Sequence, residues 1–223
     1  MAIRKTTEVK YVDEERGFEY EFEPVEDSIQ VETTTEGFTV QYLSQDEHPM
    51  SPDEMDDDGL FLVQYHRQFH VENKNVNQDD LAEYYQLEGE FPELNAEYDN
   101  GEFAGARALA EKYWIFPVTA YIHSGVSLHL GTGAGWDQSK SGAVLVKKAD
   151  FGSGGVQFEY SEERARTMAE SLIETWNQYL SGDVYGIVKE YFDKDKMPTG
   201  EVDSCWGFYG LDDAREALKD GDY

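Results

Sequence analysis

From Tyr11 to Tyr65 the chain carries a single basic residue, Arg16, among closely spaced carboxylates. Over all 223 residues, 47 acidic side chains face 18 basic ones, a formal net charge of −29. Self-repulsion of that size works against a compact state. A fold must therefore keep its carboxylates in water and cohere through its apolar residues. Apolar residues are 39% of the chain and aromatics 14%, which suffices for a core and excludes a disordered polyelectrolyte. The imbalance is uneven: residues 1–111 hold 29 acidic and 7 basic residues, and residues 112–223 hold 18 and 11. The expectation is one continuous domain, with a strongly acidic N-terminal half of strands and helices at 1–111 and an aromatic-rich α+β core at 112–223.

The charge also narrows the function classes. It argues against a broad basic face for nucleic acid or for an anionic membrane. No run of about 18 apolar residues is present, so no transmembrane helix is expected. The opening MAIRKTTEVK lacks an apolar stretch and does not read as a secretory signal. A lone cysteine, Cys205, cannot close an internal disulfide, which fits a reducing compartment.

The acids are interleaved with apolar residues at strand spacing. Phe18 to Phe22, Ser28 to Glu32 and Phe38 to Tyr42 alternate with period two and read as half-buried strands, the last two joined by a Thr-rich turn. The first ten residues read as a frayed terminus, and 44–59 as a loop. Leu60 to Tyr65 is a more buried strand. Asn77 or Asp79 caps a helix, and an alanine-rich helix spans Glu102 to Tyr113. Trp114 to Ile122 is a strand with Pro117 inside it, which suggests an edge or a bulge. Val126 to Leu130 and Gly142 to Lys147 are strands, with a glycine-rich loop from Gly131 to Ser141. Ser161 caps the longest helix, which runs to about Leu180 and places Met168, Leu172, Ile173, Trp176 and Leu180 on one face. Val184 to Tyr191 and Asp203 to Tyr209 are strands, and Leu211 to Lys219 closes the chain as a helix. The fold class expected is α+β, a mostly antiparallel sheet packed by one long helix and several short ones.

Candidate chemistry is sparse. His66 and His70 are four apart, but they follow a strand and lack an H-E-x-x-H pattern, so a polar-surface role is preferred to a metal site. Gly131 to Gly135 lacks the ending of a phosphate-binding loop and reads as a connection. An enzyme acting on nucleic acid or nucleotides would draw on His123, Asp137 and Asp203, with Lys140, Lys194 or Lys196 nearby. Cys205, in an aromatic strand, reads as a buried inert thiol. No metal and no cofactor is expected.

Four strings carry a resemblance: WIFPVTAYIHSG, GWDQSKSGAVLVKK, WNQYLSGDVYGIV and DSCWGFYG, in that order. The chain resembles a family of small bacteriophage and mobile-element proteins that share a Trp-Asp-Ser-Gly segment, a Gly-Asp-Val-Tyr-Gly segment and an Asp-Ser-Cys-Trp-Gly-Phe-Tyr-Gly ending. The segment Val63 to Arg67 is similar to that family's Trp-His-Arg segment. Ile122 and Asn177 stand where the family pattern has Asp. The resemblance implies a phage origin and action in the host cytoplasm, and it carries no established activity. Gly186 and Gly207 read as sites of close approach. Trp136, Trp176, Trp206 and Tyr209 read as an aromatic core around the long helix, with a recognition pocket as the alternative.

The leading expectation is a phage-encoded acidic inhibitor that imitates the charge of DNA and binds a host defence or DNA-binding protein. Glu19, Glu21, Glu23, Glu26, Asp27, Asp53, Glu54, Asp56, Asp57 and Asp58 would supply its negative face. It would not itself bind nucleic acid or membrane, and a homo-oligomer is compatible with the sequence. The alternatives are the accessory enzyme above and a virion or assembly protein whose acidity serves solubility.

Overall fold

The structure, a computed structural model, describes residues 3–5, 10–13, 18–21, 24–25, 27–55, 59–66, 69–74, 76–90, 104–122, 125–131, 138–151 and 157–221. These residues form an α+β fold whose strand pairings are all antiparallel. They divide into two compact units, one made of Met1–Met50 with Gly182–Tyr223 and the other of Ser51–Ser181. We call them the terminal unit and the inserted unit. The compositional boundary at 111/112 falls inside the inserted unit, at the end of a helix.

In the terminal unit, β1 (Ile3–Lys5), β2 (Lys10–Asp13) and β3 (Phe18–Glu21) form a three-stranded meander. The first ten residues are therefore not simply frayed: β1 pairs Ile3 with Asp13 and Lys5 with Tyr11. A second sheet holds β4 (Gln30–Thr33), β5 (Gly37–Gln45), β13 (Val184–Asp193) and β14 (Pro198–Tyr209), ordered β14-β13-β5-β4. Alternation sorts its side chains. Leu43 and Ile187 point to one face, where Ala214 and Leu218 of α4 (Leu211–Asp220) cover them. Phe38, Val40, Tyr42, Val188 and Phe192 cluster on the opposite face, with Phe38 and Phe192 stacked at 4.8 Å. Gly37 permits that approach, because a Cβ there would stand 1.8 Å from the Phe192 carbonyl oxygen. A carboxylate, Glu190, is buried on this face and accepts a 2.7 Å hydrogen bond from Tyr42 Oη. That bond offsets part of the cost of removing the group from water.

The inserted unit is a five-stranded sheet between helices. Its strands are β6 (Leu60–His66), β7 (Phe69–Val71), β8 (Tyr113–Ile122), β9 (Val126–Leu130) and β10 (Gln138–Lys147), ordered β7-β6-β10-β8-β9. Alternate residues of β6, β8 and β10 face opposite helices, so both faces are apolar and the strands read as near-continuous hydrophobic runs. Leu62, Phe116, Val118, Val144 and Val146 meet α3 (Glu162–Ser181) through Ala165, Ala169, Ile173 and Trp176. On the other face Phe61, Val63, Tyr113, Ala143 and Leu145 meet Leu81 of α1 (Gln78–Glu90) and Leu109 of α2 (Ala104–Lys112). At 20 residues α3 is the longest described helix, capped by Ser161, whose hydroxyl accepts the Arg164 N–H. Asn77 caps α1 in the same way. A short pair, β11 (Ala149–Phe151) and β12 (Gln157–Glu159), follows β10.

β8 lies between β10 and β9 in the sheet, but β9 pairs only from Val118 onward, so Pro117 stands where β8 becomes an edge, one of the two features its presence suggested. Its carbonyl accepts the Gly131 N–H at 2.7 Å, so its ring nitrogen faces the same side, where β9 has just ended at Leu130. No ladder donor is lost there. A bulge does lie close by, in β10 between Lys140 and Gly142. β10 also begins at Gln138, four residues before the strand start expected at Gly142. The outer edge of β9 is closed by α3: Asn177 donates to the Leu128 carbonyl at 2.9 Å and accepts the Leu128 N–H at 2.8 Å. A carboxamide does both at once, the oxygen accepting while the NH2 donates, which gives Asn at this position a physical reason.

No described helix is long and apolar enough to cross a membrane.

Candidate functional site

The DSCWGFYG string forms the second half of β14, an edge strand exposed along most of its length. Its partner residue Gly186 belongs to the GDVYG string. Register sets Trp206, Gly186 and Ser44 side by side across β14, β13 and β5. The indole lies on Gly186, where a Cβ would stand 2.2 Å from the ring. Glycine therefore creates the seat for the tryptophan. Trp206 Nε1 donates to Ser204 Oγ at 3.1 Å, which fixes the ring's orientation. The residue stays 48% exposed, with Val202 exposed on the same strand face.

Beside the indole is a groove of about 510 Å³, lined by Pro24, Val25, Ser44, Gln45, Asp46, Glu47, His48 and Trp206. Its floor is fixed. Val25 N–H donates to the Leu43 carbonyl at 2.7 Å, and the buried Ser28 hydroxyl accepts the Leu43 N–H at 3.1 Å. Val25 and Ser28 thus continue the edge of β5 where β4 has not yet begun. Asp46 Oδ1 accepts the His48 N–H at 2.9 Å, shaping the turn that presents Asp46 and Glu47. An aromatic face with two carboxylates and no Lys or Arg in the lining suits a cationic side chain or head group.

The negative face expected from sequence is only partly described. Glu19 pairs with Val12, and Glu21 with Lys10, in the β2–β3 ladder. Asp27 is exposed on the turn after Val25, in the left-handed region at φ 61°. Asp53 and Glu54 belong to the other unit, in a 3-10 turn at Pro52–Glu54. Both are exposed, and both serve that turn: Glu54 Oε2 accepts the Ser51 N–H at 3.0 Å and Asp53 accepts the Ser51 hydroxyl. Glu23, Glu26, Asp56, Asp57 and Asp58 lie outside the described residues, as do His123 and Asp137.

Asp203 is exposed on β14, opposite Lys189, and its Oδ2 accepts the Tyr191 phenol at 2.6 Å. Among the described residues no three His, Cys, Asp or Glu side chains converge as a metal site. His66 and His70 sit on the β6–β7 hairpin and not on a helix; His70 Nε2 is 2.8 Å from Glu72. Burial, and then Glu72, raise the pKa of neighbouring Tyr65. Cys205 is half-buried, more accessible than an inert core thiol.

The four aromatics proposed as one core separate. Trp176 is 2% exposed in the α3 core of the inserted unit. Trp206 and Tyr209 belong to the terminal unit, the first exposed and the second buried, donating to the Met50 carbonyl. Trp136 lies outside the described residues. Gly207 is not a close approach either: nothing stands within 4 Å of a Cβ there, and its φ of 92° is what requires glycine.

Scans of protein-family models, curated proteins and solved structures found no match to this chain.

Proposed function

We propose that this protein is an acidic, phage-encoded inhibitor that works in the host cytoplasm by binding the basic surface of a host defence or DNA-binding protein. The observation that carries this reading is the indole of Trp206, held over Gly186 and bordered by Asp46 and Glu47. Binding energy concentrates in rigid aromatic anchors ringed by polar groups. Here the rim is anionic, so the matching surface is basic. Further carboxylates are displayed on regular structure in the same unit: Glu201 and Asp203 on β14, and Asp212, Asp213, Glu216 and Asp220 on α4. Charge held on strands and helices needs little ordering on binding, which favours affinity. A surface of this kind competes with DNA for a cationic groove, and does so with steep salt dependence.

The test is a pull-down from nuclease-treated host lysate at low and high salt, followed by Trp206→Ala and a combined Asp46→Lys, Glu47→Lys variant. The reading expects a DNA-binding protein retained at low salt, released at high salt, displaced by DNA, and lost with either variant. Undiminished capture by both folded variants overturns it.

A further inference from the structure

The inserted unit holds the opposite kind of site. Among the described strands β9 pairs with β8 only from Val118 to Ile122, so the Tyr113–Phe116 stretch of β8 has one ladder partner, β10. Along that open edge lies a cavity of about 670 Å³. That volume is within the range for small-molecule sites. It is walled by α2 on one side and by the first turns of α3 on the other. Ala106 and Ala110, one turn apart, keep the α2 wall low.

Three of the chain's 18 basic residues line this one cavity, Arg107, Lys148 and Arg166, against two carboxylates, Glu111 and Glu162. In a chain of charge −29 that is a local reversal. Two of the cations, Lys148 and Arg166, are placed over rings. Lys148 Nζ lies 4.5 Å from the Trp114 ring centroid and donates to the Ala110 carbonyl at 2.6 Å. The Arg166 guanidinium lies 5.1 Å from the Phe116 centroid. Among the described residues neither forms an ion pair.

A second, independent observation comes from Tyr113. It lines the cavity, is 2% exposed, and its hydroxyl has no hydrogen-bond partner among the described residues. Leaving a buried phenol unsatisfied is costly, and a group left in that state points to a missing partner. Tyrosine could have been phenylalanine if packing against Phe61 were its only task.

We propose that this cavity binds a phosphate carried on a planar ring, the chemistry of a mononucleotide. The ring stacks among the aromatic and guanidinium planes, the phosphate meets Lys148 and Arg166, and the Tyr113 hydroxyl donates to a polar atom of the ligand. Inorganic phosphate lacks the stacking partner, and a nucleoside lacks the charge.

The experiment is calorimetric titration of the full chain with the four nucleoside monophosphates, their nucleosides and inorganic phosphate. At least one monophosphate should saturate at one site, with its nucleoside and free phosphate each bound tenfold or more weakly. Arg166→Glu should abolish that binding with an unchanged circular dichroism spectrum. Tyr113→Phe should weaken it about two- to tenfold, the loss of one hydrogen bond, while leaving the unliganded melting temperature unchanged or higher. Absence of saturable binding up to millimolar concentration overturns the proposal. So does equal binding of nucleoside and nucleotide, or undiminished binding by a folded Arg166→Glu protein. A Tyr113→Phe protein that melts lower without ligand and binds normally would make the hydroxyl a structural group and remove it from the site.

Discussion

The two units carry nearly the same charge and use it differently. The terminal unit holds 24 acidic and 9 basic residues, a net −15, and the inserted unit holds 23 and 9, a net −14. The steep gradient along the sequence disappears because the acidic first 50 residues pack with the milder last 42. What separates the units is cover. The inserted unit's sheet has apolar clusters against helices on both faces, and its outer β9 edge is tied to α3 by Asn177. The terminal unit leaves β14 open at its edge, with Trp206 exposed on it. An uncovered strand edge is normally blunted by charge, and Glu201 and Asp203 do that here. Equal charge therefore does not imply equal roles. Burial distinguishes an aromatic residue that stabilises from one free to bind.

Tryptophan tests this contrast most sharply. Trp176→Ala should cost about 3–5 kcal/mol, the usual loss for a buried aromatic, and lower the denaturation midpoint of the inserted unit. Trp206→Ala should cost under about 1 kcal/mol, as surface changes do, while removing partner capture. Similar midpoints for the two variants would erase the distinction. Next in size is Asn177→Ala, which leaves both Leu128 backbone groups without their side-chain partner and should cost about 1–3 kcal/mol. Asn177→Asp should not restore the loss, because a carboxylate cannot donate to the Leu128 carbonyl. Hydrogen exchange at Leu128 reads this directly. Gly186→Ala comes third. Its methyl must displace the indole from a 2.2 Å overlap, so Trp206 should become more exposed and bind more weakly, with little change in stability. Dynamic quenching by acrylamide measures that exposure.

The smallest effect concerns pH. Burial first, and then the hydrogen bond to Asp183 and that group's charge, raise the pKa of Tyr185; Arg215 opposes them. Folding thus favours the neutral phenol. The contribution is whole below the unfolded value of about 10 and is lost as pH rises through the folded value. Tyr185→Phe should accordingly lose less melting temperature than the parent between about pH 9 and pH 11. An identical loss would show that Tyr185 does not report on this unit.

The parts legible in sequence are those where burial imposes a period. The α3 face was readable because Ile173 and Trp176 recur at helical spacing, and β6 and β10 because they are apolar on both faces. The start of β14 at Pro198 was not, since PTGEVDS faces water and carries no alternation. β1, β2 and β7 are three or four residues long, too short for a pattern. The Trp206 surface was half legible. A glycine opposite a tryptophan announces close contact, yet the same pair reads alike in a core and on an edge. The cationic cavity left no signal, because Arg107, Lys148 and Arg166 are brought together from three separate segments.

The pairing of β5 with β13 also dictates an order of events during synthesis. Tyr42 must wait for Glu190, 148 residues downstream, whereas everything the inserted unit needs has been translated by Ser181. At about 5–20 residues per second, β5 emerges and remains without its β13 partner for roughly ten seconds or more. Like charge keeps chains apart, so the carboxylates flanking β5 would hold that open strand off its counterparts on neighbouring nascent chains until β13 arrives.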